Sequence, residues 1–381
     1  MSYVERVISV KEALRGRVRG FLSREEVEKA ERDPHAKRPP RPCGITVHPG
    51  VGCVYECKYC YVYDMGFKPS TGPYPLTGLQ LVYALLSNKY FVPGNRGTYI
   101  AIGSVTEPFH PLVKEKTLEY IEAIYKYLGN PVQFSTKLYL DPQLSRKLAE
   151  LSGKRISPLV TITTMELHRE LEPRAPSPEK RLESIRNLRE AGLQPFLFLR
   201  PIIPGVTERE YKEILERAVE HGAVGVVAGS LRVTKRILEN LREIGIDAEG
   251  ILKRLSTPLD KMKPGVQYTV EVSDVKKAIA QYALKLGLVY YPSACMANLH
   301  THGLKCWKMC TLVPTGNCTL EEPAISEVKE IAEKLGAQVT RVSLQRGELV
   351  VTLRCKGCNG TFISEVIKSR YLVCVRLRVK R

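Results

Sequence analysis

The sequence predicts an α/β protein built as a partial (β/α)6 barrel with a small C-terminal α+β domain. Three observations carry this expectation. Six short apolar runs rich in β-branched residues recur through the first 230 residues, helix-period segments separate them, and the last sixty residues repeat the alternation on a smaller scale. The runs are Ile45-Thr46-Val47, then 98–102, 132–135, 159–163, 195–199 and 224–228. Helices are expected at about 76–90, 114–128, 142–152, 178–192 and 207–221. Ser177 before Pro178 reads as an N-cap, and Thr207 with Glu210 as a capping box with Gly222 just past the helix end. Continuous apolar strands separated by helices imply a parallel sheet covered on its outer face. Six such units fall short of a closed eight-fold barrel. Ligands of such sheets bind at the C-terminal ends of the strands.

Composition narrows the setting. The chain has no run of 18 apolar residues and no signal-peptide pattern, so a cytoplasmic location without membrane contact is expected. Eleven cysteines in a reducing compartment then point to metal or catalytic sites rather than to a disulfide framework. Lys and Arg number 58 against 40 Asp and Glu, a formal charge of +18. From Arg354 onward, eight basic residues face a single acid, Glu365, a composition that attracts phosphates or simply solvates a surface.

Three cysteines, Cys53, Cys57 and Cys60, fall in the long connection after the first strand. Without a fourth thiolate they do not close a structural zinc site. A [4Fe-4S] cluster held by three thiolates keeps one iron open for a ligand that is not protein. The spacing also fits one face of a helix, but Gly50, Gly52, Glu56 and Lys58 argue for a loop.

The pattern Cys53-x3-Cys57-x-Tyr59-Cys60, after the first strand of a β/α array, resembles the signature of the radical S-adenosylmethionine (SAM) superfamily. That resemblance implies that the open iron chelates SAM and that an electron from the cluster splits it to methionine and a 5′-deoxyadenosyl radical. A dry pocket is required, because the radical takes hydrogen from its nearest neighbour. A ferredoxin- or flavodoxin-type reductant is implied as a partner. Over about residues 40–230 the chain is similar to the spore photoproduct lyase-like branch, through "GSVTEP" (103–108), "STK" (135–137), "ITT" (162–164), "EPRAPSPEKR" (172–181) and "RPIIPG" (200–205). By resemblance, Tyr59 belongs to the cofactor site, and Ser104, Thr106 and Glu107 lie where the SAM amino group binds. Ser135, Lys137 and Thr163 approach the ribose and carboxylate, with Arg181 as a further candidate. The bland alternatives are hydroxyls that satisfy strand-end backbone, and an Arg181 exposed on its helix beside Glu179 or Glu183. One departure stands out: spore photoproduct lyases use a further barrel cysteine as hydrogen donor, and this chain has none between Cys60 and Cys295. Tyr61, Tyr63 and Tyr74 are candidate donors in its place.

Beyond residue 230, Cys295, Cys306, Cys310 and Cys318 fall within 24 residues and are expected to hold a second [4Fe-4S] cluster or structural zinc, against the alternative of scattered core thiols. Trp307 and Lys308 lie between them, an aromatic and a cation suited to a base. Cys355 and Cys358 read as half a zinc site, a redox pair or a turn, and Cys43 as packing. The expected organisation is an N-terminal extension or linker over 1–42, the barrel over 43–230, a helical extension with the second cysteine group over 231–320, and a small basic domain over 321–381. The function expected is modification or repair of a nucleotide in nucleic acid, RNA (such as tRNA) favoured over DNA, with the terminal domain delivering the polymer. Modification of a peptide or protein, and iron-sulfur electron transfer without SAM turnover, are the alternatives.

Overall fold

A computed structural model describes residues 1–41, 43–312 and 320–380. Seven parallel strands lie side by side in chain order: β1 (Gly44–Val47), β2 (Tyr99–Ile102), β3 (Val132–Thr136), β4 (Ser157–Thr161), β5 (Phe196–Ile202), β6 (Gly225–Ser230) and β7 (Val289–Tyr291). β1 and β7 are the two edges of this sheet, so the barrel is open. The first six strands coincide with the six expected apolar runs. The seventh is three residues long and pairs with β6, which extends the expected six-fold array by one. Every residue of β4 is buried, because the lumen side and the helix side of this central strand are both covered.

The helices that cover the sheet start within two residues of the expected positions. Thr77 and Gln80 form a capping box, and Asp141 and Ser177 cap helices whose first residue is proline. Thr207 and Glu210 do not form the expected box. The Thr207 hydroxyl accepts from the Ile203 N–H at 2.9 Å, while the buried Glu210 carboxylate accepts from the Thr164 hydroxyl at 2.7 Å. Both residues thus tie their helix to strand-end loops.

The N-terminal segment is structured rather than a linker. Helices Tyr3–Arg19 and Arg24–Arg32 each begin with a complete capping box, Ser2 with Glu5 and Ser23 with Glu26. Val18, Val27 and Ala30 join the barrel core. The C-terminal domain places helix Ile325–Lys334 and helix Gly360–Tyr371 on a three-stranded sheet: β8 (Gln338–Gln345), β9 (Glu348–Arg354) and β10 (Cys374–Lys380). β9 is central, antiparallel to β8 and parallel to β10. Its core includes Val4 and Val92, and Thr98 donates to Glu365 at 2.6 Å. Residues 92 to 98 lead into β2, so this domain sits at the N-terminal end of the strands, the end opposite the expected site. Helix Ala294–Thr301 packs at the same end, where Met296, Ala297 and Leu299 meet Tyr99, Leu159 and Phe196. No helix among the described residues is long and apolar enough to cross a membrane.

Candidate active site

Cys53, Cys57 and Cys60 line one cavity of about 330 Å³ at the C-terminal ends of the strands. Their loop is pinned through its backbone, which leaves the sulfurs uncommitted. Tyr63 donates its hydroxyl to the Cys53 carbonyl at 2.9 Å, Asn240 donates to the Lys58 carbonyl at 3.2 Å, and Arg236 donates to the Cys60 carbonyl at 2.6 Å. Arg236 is itself held by Asp64 at 2.7 Å. Gly52 has φ +77°, and a Cβ there would stand 2.0 Å from the Ser70 carbonyl oxygen, so neither the turn nor the close approach admits a side chain. Burial pushes all three thiols above their ordinary range. Deprotonation then accompanies metal binding, as for thiolate sites in general.

Ser104, Thr106, Glu107, Ser135, Lys137 and Tyr59 line the same cavity. The Glu107 carboxylate accepts from the Thr136 hydroxyl at 2.5 Å and from the Lys137 N–H at 2.9 Å. Burial raises its carboxyl above the usual range, and those hydrogen bonds only partly oppose this. The Lys137 ammonium lies 5.6 Å from the Tyr59 ring centroid and has no carboxylate partner within ion-pair distance among the described residues. The hydroxyls of Thr106 and Tyr55 are buried with no hydrogen-bond partner among the described residues. A cavity that combines three thiols, an acid, a cation free of any close ion pair and two orphaned hydroxyls suits an iron-sulfur cluster beside a zwitterionic nucleoside.

Two expected SAM contacts lie elsewhere. Thr163 and Arg181 do not line the cavity, and Arg181 is not the exposed helix residue of the bland alternative. It is fully buried, ion-paired with Glu172, and donates to the carbonyls of Pro176 at 2.8 Å and Thr161 at 3.2 Å. Glu172 also accepts from the hydroxyl of Tyr59 and from that of Thr163 at 3.1 Å. Burial works to raise the Glu172 carboxyl, but the charges of Arg181 and Lys137 outweigh it and hold it below its ordinary range. Arg181, Thr163 and Glu172 therefore form a post beneath Tyr59, the residue between the second and third signature cysteines. A buried acid nine residues ahead of Arg181, in the same "EPRAPSPEKR" segment, was the available signal for it.

Sequence reasoning missed a second feature, the arginines that line the cavity. Arg200 and Arg232 line the cavity and have no hydrogen bond or ion pair among the described residues, while Lys276 donates to Ser230 at 2.8 Å. Burial and the charge of Arg232 both push the Arg200 guanidinium down. Two details aim Arg200 inward. The β5–β6 ladder shifts register between Leu199 and Ile202, a bulge that turns the strand, and a Cβ on Gly229 would stand 2.5 Å from Arg200 Cδ.

Of the candidate tyrosine donors, Tyr61 lines the cavity, Tyr63 supports the loop, and Tyr74 bonds Asp33 at 2.8 Å. The expected second metal group does not assemble as read. Cys295 and Cys306 line a common cavity at the barrel base with Cys43 and Cys374, Cys310 is engaged in a disulfide, and Cys318 lies outside the described residues. Cys43 is thus not isolated packing. Cys355 and Cys358 form a disulfide, not half a zinc site. Trp307 packs on the C-terminal domain and Lys308 pairs with Glu348 at 2.7 Å, so neither is presented to a base.

Residues 47–218 match the radical SAM superfamily. An uncharacterized protein of Methanocaldococcus jannaschii is 30% identical over 190 residues, which cover 46% of this chain and 69% of that protein. An uncharacterized Mycobacterium tuberculosis protein is 26% identical over 203 residues, 50% of this chain and 60% of that protein, so the chain spans less than two thirds of the latter's length. Among solved structures, a spore photoproduct lyase mutant with bound AdoMet and dinucleoside spore photoproduct aligns with a TM-score of 0.55 at 17% identity, over 68% of this chain and 79% of the lyase. Another mutant of that lyase aligns at 0.54 and 18% identity, over 66% and 77% of the two chains. At such identity the likeness is one of fold. The cysteine signature and the family match over residues 47–218 agree that this chain belongs to the radical SAM superfamily and is a radical SAM enzyme.

Proposed function

We propose that the enzyme acts on a nucleotide within a nucleic-acid chain, with Cys53, Cys57 and Cys60 holding the [4Fe-4S] cluster. In this reading Lys137 and Glu107 receive the carboxylate and ammonium of SAM, and Ser104, Thr106 and Ser135 supply hydroxyls to its polar groups. When bound, the reduced cluster supplies the electron that cleaves SAM to methionine and a 5′-deoxyadenosyl radical. Thr163 and Arg181 keep Tyr59 in place through Glu172, and Tyr61 stands beside the substrate as a candidate hydrogen donor.

The observation that carries the substrate reading is the positive charge of Arg200 and Arg232, which line the cavity without an ion-pair partner among the described residues. A half-buried guanidinium such as that of Arg200 is costly until an anion arrives. A phosphodiester supplies that anion, and Phe198 and Tyr61 beside Arg200 offer faces for a base extruded from its stack. In this reading the substrate is received at the barrel cavity rather than delivered by the terminal domain. Three of the eight basic residues from Arg354 onward are answered by acids, Arg370 by Glu321 and Glu327, Arg376 by Glu348 and Lys368 by Glu365. Phosphate-directed cations do not separate RNA from DNA, so both polymers enter the test.

Filter binding of RNA, DNA and peptide across a salt series tests the reading, alongside 5′-deoxyadenosine formation by the reduced protein with SAM. Nucleic-acid affinity is expected to fall steeply with salt and to lose part of its slope in R200Q/R232Q. Salt-insensitive binding, or a slope that the double variant leaves unchanged, refutes the substrate assignment. The 5′-deoxyadenosine readout tests SAM cleavage separately.

A further inference from the structure

The chain scatters four thiols over distant segments and then gathers them at the base of the barrel. Cys43 leads into β1, Cys295 lies on helix Ala294–Thr301, Cys306 precedes the short helix Trp307–Leu312, and Cys374 opens β10. Cys43 Sγ is 3.7 Å from Cys374 Sγ across 331 positions of sequence. Cys295 and Cys306 line the same cavity as that pair.

We propose that Cys43, Cys295, Cys306 and Cys374 form a tetrathiolate site for a single tetrahedral metal ion of the zinc class, independent of the radical chemistry. The spacing argues for one ion. A Zn–S bond of about 2.3 Å places tetrahedral ligands about 3.8 Å apart, which matches the Cys43–Cys374 separation. A cubane spreads its thiolates much farther than this. A disulfide is also a poor account of the pair, since bonded sulfurs lie at about 2.05 Å. The surroundings suit an anionic complex, because Lys308, Lys368 and Arg376 line the cavity against the single carboxylate Glu348. The cavity itself provides the entry path that a metal site needs.

Among the described residues, no three Cys, His, Asp or Glu side chains are already drawn together as tightly as one ion requires. The metal therefore completes the shell by side-chain rotation, with Cys306 as the ligand that moves. Once closed, the site ties the segment before β1 to the helix at the barrel base and to the first residue of the last strand. It is a staple between the barrel and the terminal domain.

Metal analysis of the anaerobically purified full chain tests this. A C53A/C57A/C60A variant, which lacks the signature ligands, is expected to retain about one zinc per chain and no acid-labile sulfide. C43S/C374S is expected to lose that zinc while keeping the signature iron. Cobalt exchanged into the signature variant is expected to show sulfur-to-metal charge-transfer bands and the visible ligand-field absorption of a tetrahedral thiolate. Should C43S/C374S fail to fold, C306S supplies the second measurement. It retains three ligands and is expected to release zinc to a chelator faster than the parent and to shift the cobalt spectrum. The proposal is overturned if the signature variant holds no metal, if it carries iron with sulfide, if Cys43 and Cys374 are found disulfide-linked, or if C306S leaves chelation and spectrum unchanged.

Discussion

Arg181 decides between two accounts of the same residue, a contact to SAM or a post under the cluster loop. The perturbation is R181M, set beside E172M and the double variant R181M/E172M. Both side chains have no exposed surface, so R181M leaves a buried carboxylate whose remaining charge partner is the more distant Lys137. Breaking a buried pair from one side costs about 3–5 kcal/mol, and the help of Lys137 puts R181M near the lower end. E172M strands a buried guanidinium that keeps only the carbonyls of Pro176 and Thr161, a loss near the upper end. The double variant removes both charges together. It retains the cost of neutral groups left unpaired, about 1–3 kcal/mol for each: the hydroxyls of Tyr59 and Thr163 without their acceptor and the carbonyls of Pro176 and Thr161 without this donor. Because no buried charge is then stranded, the double variant costs less than the sum of the two singles. Urea denaturation of the cluster-free protein, followed by circular dichroism, measures all three differences. Iron retention after reconstitution is expected to fall in the same order, because Tyr59 sits between Cys57 and Cys60. If R181M unfolds within about 1 kcal/mol of the parent and loses SAM affinity instead, the post is refuted and the contact to SAM stands.

Further outcomes follow from other parts of the molecule. Alanine at Cys53, Cys57 or Cys60 is expected to abolish 5′-deoxyadenosine formation while leaving the far-ultraviolet circular dichroism unchanged, since each removes one of three cluster ligands but no described hydrogen bond. R200Q/R232Q is expected to reduce the log–log salt slope of nucleic-acid binding by about 1.5, with each lost phosphate contact worth about 0.7–0.9. G229A is expected to weaken nucleic-acid binding without unfolding the sheet, because its Cβ would displace the stem of Arg200, standing 2.5 Å from Cδ. Acid stability reports on His48. Burial, and then the charge of Arg38, push this histidine down to about 3. Stability is then complete above the unfolded value near 6.5 and falls below it as the unfolded chain takes up the proton, by about 2 kcal/mol at pH 5. H48N is expected to flatten that limb of a melting-temperature profile, and an unchanged limb refutes the assignment.

Much of the barrel was legible because its signals are local. Each of the first six strands is a continuous apolar run, and the cap Ser177-Pro178 marks its helix start directly. The strand Val289–Tyr291 was not legible, since three residues in a parallel edge carry too little periodicity to stand apart from their helical neighbours. The N-terminal helices were obscured by their sparse apolar content. Helix Tyr3–Arg19 buries only Val4 and Val18, and helix Arg24–Arg32 only Val27 and Ala30. Their capping boxes were written in the sequence, but the weak apolar stripe masked them.

The same contrast governs the two ends of the lumen. The three signature ligands fall within eight residues, so a loop alone brings them together and the spacing alone betrays them. The thiols at the base come from four segments that meet only after the terminal domain has docked, and no spacing rule reaches across 331 positions. Nearness in sequence therefore misled: Cys310 and Cys318 shared a stretch with Cys295 and Cys306, whereas Cys43 and Cys374 share the cavity. Glu172 follows the same logic, an unremarkable acid until Tyr59, Thr163 and Arg181 converge on it from three directions. Chemistry that one loop can assemble is readable from a single chain, and chemistry that needs the whole fold becomes readable only when the fold is in hand.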